Sequence, residues 1–366
     1  MKEGWEVKKF ENCIAKIPKP QQLKTSDYKS AGRYPIVSQE ACAISGYTDL
    51  QDCLYHVDKP VVIFGDHTRV LKYIDFSFVV GADGVKILIP NNEFDSKFFY
   101  YYLVWCDIPS LGYSRHYKLL KGLDIPVPPL PTQEKIVSEL DCINSIIEKK
   151  REQLKELDTL AQSIFYDMFG DPIQNEKGWE VRKLGEEFNI SSGGTPNTKI
   201  VEYWENGTYS WIGSNMCHNE IIYQNDGKYI TAAGLNNSSA KEYTKGYVLV
   251  ALVGATIGKV ALLKFDTTTN QNVAGIDVPS NQNYTSEFVY YLMQNLYDLF
   301  LQLGGDKFKM ANLNFVRGLP LVSPPLPLQH QFASKIEAIE KQKELIKRSI
   351  AEVETLLASR MQYYFG

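Results

Sequence analysis

The chain has 366 residues, of which 44% are hydrophobic and 22% charged, and its formal net charge is −4. These values are typical of a soluble globular protein of about two domains, and they exclude a polyanion binder that acts through overall positive charge. No apolar run reaches the ~20 residues of a membrane span, and the first residues lack an apolar signal core, so we expect a cytoplasmic protein with no membrane contact. The six cysteines form no CxxC pair, and we expect their thiols to be reduced.

The first half of the chain predicts a head of mixed secondary structure over residues 1–131. Short runs of β-branched and aromatic residues, bounded by Gly and Asp, predict strands at Val61–Phe64, Phe76–Val80 and Val85–Ile89. An amphipathic helix is predicted near Ser96–Trp105.

A long charged helix is predicted to follow over 132–170. The preceding Pro-Pro-Leu-Pro cannot continue a helix from upstream, Thr132 is a candidate N-cap, and Gly170 is a candidate C-terminal stop. Apolar residues alternate at four- and three-residue steps, which is the heptad pattern of a coiled coil. The alternative is an ordinary amphipathic helix that packs on a globular core. The predicted apolar seam of this helix consists of Ile136, Leu140, Ile143, Ile147, Leu154, Leu157 and Ile164.

The second half repeats this order. Strands are predicted at Tyr247–Val253, Val260–Phe265 and Val273–Val278 of a second head over 171–327, with a helix near Ser286–Leu303. A second long helix is predicted over 328–366. Its predicted seam consists of Ile336, Ile339, Ile346, Ile350, Val353 and Leu357.

The two halves form an internal repeat. Gly122–Gly170 aligns with Gly318–Gly366 without a gap, and since 318 − 122 equals 366 − 170, the offset is 196 residues throughout. The matches are weakest in the middle of each half, as in a duplicated scaffold with divergent binding surfaces. If the helices pair, chain order makes the coiled coil antiparallel. The predicted fold is therefore α+β, with two mixed heads separated by two long helices in a pseudo-two-fold repeat.

Signals for catalysis are weak. Val253–Val260 resembles a phosphate-binding loop but has too few residues between its glycines and no Ser or Thr after the lysine, so a strand-turn-strand is predicted there. The five histidines show no zinc pattern. We therefore predict no catalytic, cofactor-binding or metal-binding residue. Two alternatives stay open: a methyltransferase or nuclease in its own right, and an adaptor with two protein-binding heads.

Basic residues interleaved with aromatic residues suggest contacts with nucleic acid. They cluster near the start of the first head and just before each Pro-Pro-Leu-Pro segment. Lys and Arg bind phosphates, Arg can recognise guanine, and Asn can recognise adenine, whereas solvated loops without a ligand are the alternative. The candidate DNA-binding residues are Lys16, Lys19, Lys24, Lys29, Arg33, Arg69, Ser114, Arg115, His116, Lys118, Lys199, Lys307, Lys309, Asn312 and Arg317.

Taken together, these features resemble the specificity (S) subunits of type I restriction–modification enzymes. The resemblance covers nearly the whole chain and is carried by the paired Gly-Trp-Glu-Val starts, the Ser192–Pro196 segment with its Gly-Gly-Thr-Pro, the two Pro-Pro-Leu-Pro entries ending in Gln133 and Gln329, and the two Phe-Gly helix ends. It implies a non-catalytic subunit that binds double-stranded DNA. Each head would recognise one half of a split, asymmetric target in the major groove, and the helices would set the spacer between the halves.

The resemblance also implies partners. Two methyltransferase (M) subunits, docked on the helices, would methylate adenine N6 with S-adenosylmethionine, and restriction (R) subunits would use ATP and Mg for cleavage, so this chain itself would need no cofactor. Head 1 departs from the pattern, because Ile17-Pro18-Lys19-Pro20 stands where head 2 has Gly-Gly-Thr-Pro. We therefore expect the two heads to recognise different half-sites.

Overall fold

The computed structural model describes residues 4–18, 20–112, 114–303 and 310–366. The chain divides into two compact units: unit 1 contains Met1–Glu152 with Lys347–Gly366, and unit 2 contains Gln153–Ile346. None of the helices in these described ranges is long and apolar enough to cross a membrane.

Unit 1 contains head 1, the part of the chain before the first long helix. Its strands are β1 (Glu6–Lys9), β2 (Tyr34–Val37), β3 (Gly46–Thr48), β4 (Leu54–Tyr55), β5 (Val61–Gly65), β6 (Leu71–Ile74), β7 (Phe78–Val80), β8 (Val85–Leu88) and β9 (Asp124–Val127). Its helices are α1 (Phe10–Cys13), α2 (Ser96–Trp105) and α3 (Tyr117–Leu120), followed by the first long helix α4 (Leu130–Phe169).

Three sheets form head 1. One has the order β3-β2-β7-β4, with β2 and β7 parallel and the other pairs antiparallel. The second has the antiparallel order β6-β5-β8, and the third pairs β1 with β9. The central strand β5 is buried along its whole length. Val62 and Phe64 join the core around α2, whereas Val61 and Ile63 join a second core, because alternate residues of a strand point to opposite faces.

Unit 2 contains head 2, the part of the chain between the long helices. Its strands are β10 (Val181–Lys183), β11 (Ile190–Ser192), β12 (Tyr209–Ile212), β13 (Glu220–Ile222), β14 (Tyr229–Ile230), β15 (Glu242–Tyr243), β16 (Val248–Ala251), β17 (Val260–Leu263), β18 (Thr267–Thr269), β19 (Val273–Ile276) and β20 (Pro320–Val322). Its helices are α5 (Leu184–Glu187), α6 (Ala232–Asn236), α7 (Ser286–Asn295), α8 (Tyr297–Leu301) and α9 (Leu313–Gly318), and the second long helix is α10 (Leu326–Phe365).

Head 2 repeats the topology of head 1 with additions. The sheets have the orders β11-β19-β16-β17-β13, β14-β12-β18-β15 and β10-β20. The parallel pair β12–β18 corresponds to β2–β7, and β16 corresponds to β5, with alternate residues in two cores. The strand predictions in both heads are confirmed in place, although most observed strands are shorter. The single helix predicted over Ser286–Leu303 is wrong: it divides at Leu296, where the backbone leaves the helical region.

Both long helices have 40 residues. The prediction of Thr132 as N-cap is wrong, because α4 begins at Leu130 and Thr132 lies in its first turn. Pro131 is accepted in that turn because the first helical residues need no intrahelical N–H donor. The predicted stop at Gly170 is confirmed: it has φ +76 and its N–H donates to Tyr166 O at 2.8 Å.

Each long helix is joined to its head by a buried glutamine. The Gln133 side chain is fully buried, accepts from Asp95 N at 2.8 Å, and donates to Glu93 O and Pro128 O at 2.8 and 2.7 Å. We call this arrangement the glutamine clamp, since it joins the start of α4 to the start of α2.

The second half has the same clamp. Gln329 is also fully buried, accepts from Thr285 N at 3.0 Å, and donates to Asn283 O and Pro324 O at 3.1 and 2.9 Å. The polar residue at the end of each Pro-Pro-Leu-Pro entry is therefore a structural part of the scaffold, because a buried amide must satisfy its hydrogen bonds.

The predicted seam residues lie on the less exposed face of both helices. In unit 1, Ile136 and Leu140 join the core of head 1 together with Phe365 of α10. In unit 2, Ile336 and Ile339 of α10 join the core of head 2. The alternative of an amphipathic helix packed on a globular core therefore describes these parts of the helices. The buried seam residues are Ile136, Leu140, Ile143, Ile147, Ile336 and Ile339, and the half-buried ones are Leu154, Leu157, Ile164, Ile346, Ile350, Val353 and Leu357.

Polar contacts connect α4 and α10 within each unit. In unit 1, Glu139 accepts from Arg360 and Tyr364, and Arg151 pairs with Glu354 at 2.9 Å. Rising residue numbers on α4 thus meet falling numbers on α10, so the segments run antiparallel. In unit 2, half-buried Lys343 pairs with Asp158 at 2.8 Å and with Glu340 at 2.7 Å.

Candidate nucleic-acid interface

The loops of head 1 converge at one end of its sheets. Asp66 N donates to Gly84 O at 2.7 Å, which joins the β5–β6 turn to the β7–β8 turn. His67 N donates to Gln39 Oε1 at 3.2 Å, and His116 N donates to Asp66 O at 2.8 Å. These bonds bring in the segment after β2 and the loop after α2. We define loop cluster 1 as the described residues of 16–24, 38–41, 65–70, 81–86 and 108–118.

His116 is an internal support of loop cluster 1. Its side chain is fully buried, its Nδ1 donates to Asp66 O at 3.0 Å, and Leu111 N donates to its Nε2 at 2.9 Å. The prediction of His116 as a DNA contact is therefore wrong for this structure. Asp66 is also buried and accepts from Tyr117 N at 2.8 Å.

Two cations are exposed or half-buried beside this support. Arg115 pairs with Asp83 at 3.2 Å, and both side chains are mostly exposed. Lys86 lies 3.8 Å from Asp66 and 5.5 Å from the centre of the Tyr117 ring. Burial raises the pKa of Tyr117, which keeps its phenol protonated. This side of the cluster therefore combines cations, carboxylates and a ring.

Lys72 supports the cluster from inside head 1. It is buried, and its Nζ donates to Ser38 O at 2.9 Å and to Cys42 O at 2.6 Å. Burial lowers the pKa of Lys72. The segment after β2 is thus held by a charge-assisted contact that the sequence reading missed.

Five other DNA-binding candidates of head 1 lie in loop cluster 1, where some are exposed and one makes a structural contact. Lys16, Lys24 and Lys118 are exposed residues of loop cluster 1. Ser114 is half-buried in the same cluster. Arg69 has a structural contact, since its Nη1 donates to Ile108 O at 2.7 Å.

Two further candidates of head 1 lie outside loop cluster 1, around Asp49. Lys29 pairs with Asp49 at 2.7 Å, and Arg33 N donates to the same carboxylate at 3.1 Å. The guanidinium of Arg33 lies 5.4 Å from the centre of the Tyr34 ring. Lys19 lies outside the described residues.

Head 2 brings the corresponding connections together. Asn270 N donates to Ile212 O at 3.1 Å, Leu252 N to Asn272 O at 2.8 Å, and Ala311 N to Leu252 O at 2.8 Å. We define loop cluster 2 as the described residues 193–200, 213–216, 252–259, 270–272 and 310–312. The turn at 254–256 between β16 and β17 confirms the strand-turn-strand prediction for this segment.

The Gly-Gly-Thr-Pro segment of loop cluster 2 packs through its glycines against backbone just outside the cluster. A Cβ on Gly193 would lie 2.2 Å from Thr269 O, and one on Gly194 would lie 2.5 Å from the Ser239 backbone. Trp211 Nε1 donates to Gly194 O at 3.2 Å, and its ring packs edge-on against Trp204. Only glycine permits such close approach of two backbones. The motif therefore positions the residues after it.

The candidates of head 2 divide into exposed and structural ones. Lys199 is exposed in loop cluster 2. Asn312 caps α9 by accepting from Phe315 N at 2.9 Å, and Arg317 Nη2 donates to Ile190 O at 2.7 Å. These two side chains thus hold the fold. Lys307 and Lys309 lie outside the described residues.

Sequence reasoning missed the amides of loop cluster 2. Asn270 and Asn272 are half-buried, whereas Asn215 and Gln271 are exposed. Gln271 Oε1 accepts from Thr195 Oγ1 at 2.7 Å, which joins two loops through a pair of polar side chains. Asn270, Gln271 and Asn272 stand directly before the predicted strand Val273–Val278, in the middle of the second half, where the repeat matches least, and that position was the available signal. Over the described ranges, no three His, Cys, Asp or Glu side chains are close enough to hold a metal ion.

The comparison with protein families is decisive for both halves. The model of the type I restriction modification DNA specificity domain matches residues 2–157 and 176–355. The chain belongs to this family. The two matched segments correspond to the two halves of the internal repeat, so this specificity-family chain carries the domain twice.

Relatives of this specificity-family chain are themselves specificity subunits of type I restriction enzymes. It is 27% identical to the specificity subunit of the type I restriction enzyme EcoR124I/EcoR124II of Escherichia coli, over 79% of this chain and 72% of that one. It is 21% identical to the MjaVIII specificity subunit of Methanocaldococcus jannaschii, over 97% and 92% of the two chains.

Solved structures show the same fold. The S subunit of a type I restriction–modification system from M. genitalium superposes with a TM-score of 0.56 at 15% identity, covering 99% of this chain and 96% of that one. A chain from a study of complex assembly and conformational transition of the type I R-M system gives 0.55 at 16% identity, covering 100% and 98%. At this identity the likeness concerns the fold alone.

Proposed function

We propose that this chain is the DNA-recognition subunit of a type I restriction–modification complex, in which loop clusters 1 and 2 each recognise one half of a bipartite, asymmetric target in the major groove. The observation that carries the proposal is the double match to a DNA-specificity family, on two heads whose corresponding loops converge in the same way. A duplicated scaffold that carries different side chains at corresponding loops suits a target whose halves differ.

In this proposal the chain is not an enzyme. Two methyltransferase subunits would dock on the long helices and bring S-adenosylmethionine, and restriction subunits would bring ATP and Mg. The proposal rests on family membership and on the weakness of catalytic motifs in the sequence.

The long helices would form an antiparallel coiled coil that sets the spacer. Support comes from the antiparallel contacts within each unit and from the seam, whose members are all buried or half-buried. Lys343 and Arg360 interrupt the seam with pairs to acids on α4. Polar pairs at seam positions can specify helix register.

Footprinting of the purified complex on DNA tests the proposal. Two protected segments of different sequence, separated by a fixed spacer, are expected. One short contiguous protected site would contradict it. Methyl transfer by this chain alone would favour the enzyme alternative, and the absence of DNA affinity with all partners present would favour the adaptor.

A further inference from the structure

Arg115 has a position in loop cluster 1 that its neighbours fix. On its C-terminal side, His116 is buried and hydrogen-bonded to Asp66 O, and Tyr117 N donates to the Asp66 carboxylate. On its N-terminal side, Leu111 N donates to the same imidazole at 2.9 Å. The loop is therefore anchored on both sides of an exposed arginine. Such preorganisation lowers the ordering cost of binding.

Asp83 orients the guanidinium. Its Oδ2 lies 3.2 Å from Arg115 Nη2, with side-chain exposures of 69% and 62%. An ion pair this exposed contributes little to stability, so its main effect is to fix the direction in which the Arg115 guanidinium points. One contact occupies one of five N–H donors and leaves others for a ligand.

A cleft of about 550 Å³ adjoins this pair. Arg115, Asp83 and Lys86 supply its charged groups, and residues such as Ile17 and Val85 supply apolar wall. A site with charged and apolar parts side by side fits the edge of a base better than a phosphate, which offers only oxygens.

We propose that Arg115 recognises a guanine in the half-site bound by head 1, with its guanidinium bidentate to O6 and N7, and that Asp83 is its positioning residue. This inference rests on the proposed function. A phosphate contact would need only positive charge, whereas the planar fork of arginine matches the two acceptors of guanine. The described residues of loop cluster 2 include Lys199 and Lys259 but no arginine, so this contact belongs to head 1.

The test uses the full chain in complex with its partner subunits and selects from duplex pools randomised in each half-site. Arg115→Lys keeps the positive charge and removes the planar, forked pair of N–H donors. It should reduce the preference for guanine at one position of half-site 1 by about 5- to 150-fold and leave half-site 2 unchanged. Asp83→Ala should give a smaller loss at the same position.

Lys118→Gln is the matched control, since Lys118 is an exposed cation of loop cluster 1 at the start of α3, three residues after Arg115. It should weaken binding to all sequences about equally and reduce the salt slope by about one. If Arg115→Lys behaves like this control, the guanine contact is refuted. A bipartite wild-type target without a required guanine in half-site 1 also refutes it and leaves the proposed function intact. A wild-type complex with no sequence preference overturns the proposed function, and this inference with it.

Discussion

Loop clusters 1 and 2 occupy corresponding positions on one scaffold and carry different chemistry. Loop cluster 1 has charges in pairs, with Arg115 beside Asp83 and Lys86 near Asp66. Loop cluster 2, over the residues that define it, has amides such as Asn270 and no carboxylate. Paired charges suit bases with strong acceptors, and amides suit adenine. The difference shows that the scaffold and the recognition surface can vary separately.

What the heads share is the buried framework. The glutamine clamps of Gln133 and Gln329 make the same three hydrogen bonds, and strands β5 and β16 both divide their side chains between two cores. These features depend on burial, which the repeat preserves.

Shortening the helices should have the largest effect. Removing residues 153–159 of α4 and 342–348 of α10, which include the paired Asp158 and Lys343, shortens the proposed spacer by about 10 Å at 1.5 Å per residue. The preferred spacer should shorten by about three base pairs. Binding to the original target should fall by about 10³-fold or more. Selection from pools with variable spacers measures this, and changed bases in either half-site would contradict the separation of framework and loops.

The glutamine clamps should matter equally in both halves. Gln133→Leu and Gln329→Leu each leave one N–H and two carbonyls without their partner, so each should cost about 2–4 kcal/mol of unfolding free energy. Urea unfolding measures the loss of stability, and hydrogen exchange at the amides near the start of each long helix shows where it occurs.

Gln331→Leu is the control for the clamps, because Gln331 is exposed on α10, and it should change stability by less than about 0.5 kcal/mol. A neutral result for only one of the two clamp variants would show that the halves do not share this part of the framework.

The Gly-Gly-Thr-Pro segment should matter for head 2 alone. Gly194→Ala places a Cβ against the Ser239 backbone and should destabilise that segment by about 1–3 kcal/mol. Recognition of half-site 2 should weaken while the bases preferred in half-site 1 stay the same. Gly318→Ala is the control, because a Cβ there meets nothing within 4 Å. Loss of preference in half-site 1 would argue against independent heads.

The smallest effect is expected from Glu139 in unit 1. Hydrogen bonds from Arg360 and Tyr364 lower the pKa of Glu139 below its ordinary 4.5. Because the folded pKa is the lower one, its stabilising contribution is present above pH about 4.5 and is lost as the pH falls through the folded pKa. Glu139→Gln should therefore lower the thermal midpoint slightly at pH 7 and less at acidic pH. A difference that grows on acidification would contradict this account, and exposed Glu152→Gln is the control.

The sequence was informative where burial alternates along the chain. Helix α2 is observed at the predicted bounds Ser96–Trp105, with Asp95 accepting from two N–H groups of its first turn. The break at Leu296 was not predictable from the spacing of apolar residues, because Leu296 at the break and Phe300 after it are both buried in the core of head 2. Local pattern thus predicts elements better than their ends.

The candidate site was predicted only in outline. The described residues just before the Pro-Pro-Leu-Pro segments lie in or beside the loop clusters, but His116, Asn312 and Arg317 make internal hydrogen bonds. Whether a polar loop side chain points inward depends on distant partners, and Asp66 is 50 residues from His116. Composition of a loop cannot report such contacts.

The most direct test is to sequence modified bases genome-wide in a host that carries either this chain or a version with residues 1–131 exchanged for another family head. A bipartite, asymmetric motif is expected for the natural chain. The exchange should change one half of this motif and leave the other half and the spacer unchanged. A single contiguous motif, or a change in both halves after the exchange, would contradict the claim that two separate heads recognise different half-sites.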